Sequence, residues 1–113
     1  QTWSSNTTLL TPLRLAEAFK GSNQSLTSSG YQKLPGGLII QWGSVVVPSA
    51  TKVNVSYPVT FPNMVLRAFA THATPSATAV FACGVEMLSA STLSLSTNDT
   101  SGTPTVHFLV IGY

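Results

Sequence analysis

From residue 37 onward, hydrophobic and polar positions alternate with a period of two. Across residues 51–61, Val53, Val55, Tyr57, Val59 and Phe61 share one side, while Lys52, Asn54, Ser56 and Thr60 share the other. That alternation predicts a half-buried strand, bent at Pro58 or split there into a pair. Pro62-Asn63 turns the chain, and residues 65–72 return as a second strand. Residues 78–88 are apolar on both sides, and residues 91–96 point Leu93 and Leu95 inward. Residues 105–113 carry Val106, Phe108 and Val110 on one side and Leu109, Ile111 and Tyr113 on the other. Turn signals separate these runs: Pro35-Gly36-Gly37, Thr74-Pro75-Ser76 and, strongest of all, the Asn-Asp-Thr-Ser-Gly cluster at 98–102. Strands at a spacing of about 8–14 residues with no helix between them predict an all-β fold, a small antiparallel β-sandwich.

Ahead of residue 30 the pattern differs. Thr11 is placed to cap a short amphipathic helix that starts at Pro12 and ends before Gly21, with Leu15 and Phe19 on one side. Eight or nine residues do not hold a helix alone in water, so this one needs a packing partner. Residues 21–30 have the Ser- and Gly-rich composition of a flexible linker. The expected division is a leader with helix and linker at 1–29 and a β domain at 30–113. A chain that opens at Gln1 reads as a fragment or a processed product.

Charge changes the picture. Only 7% of residues are charged, against roughly 25% in ordinary globular domains. Ser and Thr together number 30, so the surface must rely on hydroxyls and amides or be buried against other chains. Five Lys and Arg, scattered along the sequence, form no basic patch and argue against nucleic acid as a partner. Residues 38–47 and 105–113 are apolar on both sides, although one side of each sheet in a two-layer sandwich should be wet. That excess predicts a second buried contact, most simply the interface of a homotrimer. Cys83 is the single cysteine, which rules out an intrachain disulfide, and its apolar setting reads as a small core residue.

The stretch Gly30-Tyr31-Gln32-Lys33-Leu34-Pro35-Gly36-Gly37-Leu38-Ile39-Ile40-Gln41-Trp42-Gly43 and the ending Phe108-Leu109-Val110-Ile111-Gly112-Tyr113 closely resemble the two ends of the gp53-like C-terminal domain of bacteriophage tail fibres. The resemblance implies a virion location and a distal fibre tip that binds the bacterial surface through lipopolysaccharide sugars or an outer-membrane protein. A tail-fibre assembly chaperone acting near the C terminus is also implied. The same role is open to the fibre of a phage-tail-like bacteriocin. Two other readings stand beside it: a trimerisation cap without receptor contact, and a polysaccharide depolymerase module.

The inventory for catalysis is thin. The carboxylates are Glu17, Glu86 and Asp99, and Glu86 with Asp99 is the one conceivable glycosidase pair. A solvated strand Glu and a turn-forming Asp explain both without chemistry, so no catalytic residues and no cofactor are expected. His72 and His107 are isolated in sequence. Local hydrogen bonding explains them more simply than a metal on a threefold axis. Trp3 and Trp42 could stack on sugars, but Trp42 reads as core beside Ile40 and Val45. Receptor contacts are expected on two loops rich in short hydrogen-bonding side chains: His72, Thr74 and Ser76 in one, Asn98, Asp99, Thr100 and Ser101 in the other.

Overall fold

Period-two alternation folds as expected, into antiparallel strands. The computed structural model describes residues 11–48, 51–73, 80–87, 89–100 and 102–113. One short helix, α1 (Pro12–Glu17), precedes β1 (Gln24–Ser25), β2 (Gly30–Lys33), β3 (Ile39–Val46), β4 (Lys52–Ser56), β5 (Val65–His72), β6 (Cys83–Met87), β7 (Thr92–Thr97) and β8 (Thr105–Gly112). Five strands form one sheet in the order β1-β2-β3-β8-β5, and three form another in the order β4-β7-β6. All pairings are antiparallel.

Thr11 caps α1 by accepting the Arg14 N–H, and Pro12 occupies the first turn. The helix buries none of its side chains, and Leu13, Leu15 and Phe19 are exposed. Part of the stretch with linker composition joins the sheet, because β1 pairs with β2. Gly30 permits this: a Cβ there would strike the Ser25 carbonyl and crowd the Trp42 ring.

The core lies between the sheets. Ile39, Val106, Phe108 and Val110 face inward from the five-stranded sheet, and Leu93 and Leu95 meet them from β7. Tyr57 and Phe61, in the connection from β4 to β5, pack edge-to-face at 5.1 Å between ring centres. Cys83 packs against this cluster from its margin. Gly112 lies so close to Phe61 that a Cβ would sit 2.6 Å from its Cδ1, which fixes the need for glycine before the last tyrosine. Tyr113 itself exchanges backbone bonds with Met64.

Two side chains invert the expected pattern. Gln41, polar, is fully buried, whereas Trp42 lies on the outer side of the five-stranded sheet with its indole N–H bonded to the Thr27 carbonyl. Placing Trp42 and Ile40 outside corrects the core reading of that tryptophan. The reason lies at Val59. Beyond β4 the chain bends at Pro58 and leaves the ladder. The Gln41 carboxamide donates to the Val59 carbonyl at 2.6 Å and accepts the Val59 N–H at 2.9 Å, standing in for a missing strand.

Gln41→Leu therefore leaves both Val59 groups without partners. We expect a loss of about 1–3 kcal/mol per orphaned group, read from urea unfolding. Tyr57→Phe should behave oppositely. The Tyr57 hydroxyl is buried with no hydrogen-bond partner among the described residues, so its removal should leave the melting temperature unchanged or higher. Burial also raises the Tyr57 pKa. The folded state thus favours the neutral phenol, and its contribution is intact below the ordinary tyrosine pKa of about 10 and lost as pH climbs beyond it. Melting curves of Tyr57→Phe should lack that share of the alkaline destabilisation.

Candidate functional site

His72 and Asp99, one described residue from each of the two loops singled out in the sequence, meet between the ends of β5 and β7. Thr74, Ser76 and Ser101 lie outside the described residues. The other four fall into two pairs. His72 ends β5 on its inward side, opposite Val106, and Asp99 follows β7. His72 Nε2 lies 2.7 Å from Asp99 Oδ2, with the two side chains only 7% and 4% exposed. The imidazole also lies against the Phe81 ring at 4.9 Å. Asn98 and Thr100, by contrast, are exposed.

Short side chains knit the loop. Asn98 Oδ1 accepts the Ala82 N–H at 2.8 Å, and the Asn98 N–H returns a bond to the Ala82 carbonyl. Thr97 Oγ1 donates to the same carbonyl and accepts the Asp99 N–H. Alongside, the Ala73 N–H donates to the Thr105 carbonyl. Asn98 and Thr100 are therefore presented to solvent from a braced backbone, whereas His72 and Asp99 brace it. The pairing spans 27 residues, and neither loop signals it locally.

The remaining candidates separate. Glu86 pairs with Lys52 at 2.7 Å on the outside of the three-stranded sheet, so the two carboxylates weighed as a catalytic pair each hold a cation or an imidazole. His107 lies on the outer side of the five-stranded sheet between Ser44 and Thr71, opposite in facing to His72. Among the described residues, no group of three His, Cys, Asp or Glu is placed to hold a metal ion. Trp3 lies outside the described residues.

Of the two outer surfaces, the sequence pointed to the apolar one, through the two-sided apolarity of 38–47 and 105–113, and not to the polar one as a surface of its own. The outer side of the five-stranded sheet sets Trp42 beside Leu109 and Leu109 beside Phe69, with Ile40 and Ile111 in the next row. Phe69 is 55% exposed and Leu109 42%. The outer side of the three-stranded sheet is polar: Lys52, Ser96 and Gly84 form one row, and Asn54, Ser94 and Glu86 the next. Both were readable in the alternation, which put Lys52, Asn54 and Ser56 on one side and left 105–113 apolar on two.

Comparison with known proteins follows the same lines. The family described as "Putative tail fiber protein gp53-like, C-terminal" matches residues 33–113. A C-terminal portion of the P. aeruginosa R2 pyocin fibre superposes with a TM-score of 0.74 at 21% identity, covering 87% of this chain and 27% of that one. An N-truncated R1-type pyocin tail fibre gives a TM-score of 0.65 at 19% identity, over 93% of this chain and 98% of that one. At such identities these likenesses establish the fold. An uncharacterized protein of Methanocaldococcus jannaschii is 44% identical over 45 residues, 37% of this chain and 30% of its own length.

Removing Asp99 should be costly. Asp99→Ala leaves a buried imidazole nitrogen without its carboxylate, and removing the hydrogen-bond partner of a buried polar group costs about 1–3 kcal/mol. Asn98→Ala removes one neutral bond, worth about 1 kcal/mol. Denaturant titration should show the first change as the larger of the two.

Proposed function

The chain belongs to the gp53-like tail-fibre C-terminal family, and from that premise we propose that it forms the threefold-symmetric distal tip of a fibre that adsorbs to bacteria through surface sugars. Its place is the tail of a phage or phage-tail-like particle. The observation that carries the proposal is the chemical contrast between the two outer faces of the sandwich. Trp42, Leu109, Phe69, Ile40 and Ile111 form a contiguous apolar surface on the five-stranded sheet. Surfaces of that kind mark protein contacts, and the copies of the same chain brought together in a fibre are the simplest partner. Residues 1–29 serve as the leader into the shaft, where the exposed Leu13, Leu15 and Phe19 of three chains can cover one another.

Contact with the cell then falls to polar groups left outside. His72 and Asp99 fix the loop from within, and Asn98 and Thr100 project from it, with Thr74, Ser76 and Ser101 as the further contacts of the two loops. Lipopolysaccharide sugars suit such short hydroxyl and amide side chains better than a protein receptor does. Each site can be weak, because three copies per tip and several fibres per particle multiply the effect. An assembly chaperone acting near residues 108–113 fits the same reading, since that strand is held between β3 and β5 in the five-stranded sheet.

Light scattering in dilute solution should return the mass of three chains. Phe69→Lys combined with Leu109→Lys should lower it to one and reduce adsorption to host cells at least tenfold through lost avidity. A stable monomer from the unaltered protein would overturn the trimer, and absence of adsorption by the intact trimer to any strain of a broad host panel would overturn the receptor role.

A further inference from the structure

The outer side of the three-stranded sheet is built around an anomaly. Ser94, on the central strand β7, is only 2% exposed although it faces outward, and its Oγ has no hydrogen-bond partner among the described residues. The register gives the cause. Lys52 stands opposite Ser96 on one side of β7, and Glu86 stands opposite Ser94 on the other. Their 2.7 Å ion pair thus crosses over the central strand and covers it. Small residues beneath make the crossing possible. Gly84 contributes by its missing side chain, because a Cβ there would lie 2.8 Å from Ser96 Oγ.

Such a cover is weakly held. Both members of the ion pair are well exposed, and exposed pairs add little to stability, so its hydrogen bonds are readily exchanged for others. Beneath it waits an unsatisfied hydroxyl, whose burial without a partner is unfavourable. Around it stand an amide (Asn54), a hydroxyl (Ser96), an ammonium and a carboxylate. The two charges cancel, so the face favours an uncharged occupant, and the mix of donors and acceptors suits adjacent hydroxyl groups.

We propose that this face is a binding site for a neutral sugar ring. Ring hydroxyls insert between Lys52 Nζ and Glu86, bonding to both, and a third hydroxyl reaches Ser94 Oγ. The proposal rests on the receptor reading above and names a contact surface separate from the loops at 71–76 and 96–101. On the apolar-face assembly, this polar sheet is turned away from the other subunits and stays open to solvent.

Ser94→Ala separates a binding role from a structural one. Removing an unpartnered buried hydroxyl should leave the melting temperature unchanged or slightly higher. The probe is a printed array of bacterial O-antigen and capsular polysaccharides, with whole-cell adsorption measured in parallel on the intact trimer. We expect Ser94→Ala and Glu86→Gln each to weaken glycan binding roughly tenfold, the scale of one lost shared hydrogen bond. Glycan binding that survives both face variants overturns this site and leaves the receptor reading standing. Adsorption to cells without binding to any neutral glycan likewise overturns the site and points to a protein receptor. Failure of both assays with the unaltered protein overturns the receptor reading and this site with it.

Discussion

The sandwich depends on how one connection crosses it. Between β4 in the three-stranded sheet and β5 in the five-stranded sheet, residues 57–64 pass from one layer to the other without belonging to either ladder. Every backbone group there that is shut away from water needs a partner. Gln41 supplies two for Val59, Ser91 and Ala90 accept the N–H groups of Tyr57 and Phe61, and Tyr113 accepts those of Asn63 and Met64. With those bonds made, Tyr57 and Phe61 can lie in the core as a packed pair. A polar side chain in the centre of an apolar core is unfavourable only when unsatisfied. Here it is what allows the two layers to be joined by so short a segment.

The same connection explains what the sequence shows and what it hides. Strand positions, the antiparallel sandwich and the inward Leu93 and Leu95 follow from period-two alternation, because residues 91–96 are asymmetric enough for the pattern to speak. Residues 105–113, apolar on both sides, do not mark Val106, Phe108 and Val110 as the inward set. Residues 39–46 are apolar on both sides, and there alternation has no sign. Polarity would send Gln41 out and Trp42 in. The structure does the reverse, because the demand at Val59 is 18 residues away. The loops were readable as loops from their turn residues. That His72 and Asp99 close on each other was not, since only tertiary packing brings residues 27 apart into contact. Residues 24–25 show the same limit: the composition reads as linker, yet strand pairing is decided by the room Gly30 leaves.

Scarcity of charge is the second governing constraint. With a formal net charge of only +2, little electrostatic repulsion keeps copies apart. Solubility then rests on where the apolar surface is put, and the fold gathers much of it on one sheet. The Ser- and Thr-rich surface goes to the other. Each of the three carboxylates is committed to a partner: Glu17 to Arg14, Glu86 to Lys52 and Asp99 to His72.

Keeping opposite chemistries on separate sheets has a consequence for how such a tip can change. Strands β4, β6 and β7 share no backbone pairing with β3 or β8. A substitution at Lys52, Ser96 or Glu86 alters the polar face without touching a residue of the apolar one. Buried polar contacts tie the layers together: Gln41 on β3 to Val59 in the 57–64 crossing, and His72 on β5 to Asp99 beyond β7. These ties hold the layers at a fixed spacing, so the apolar sheet can remain a constant assembly surface while exposed residues on the polar sheet and its loops vary with the cell surface encountered.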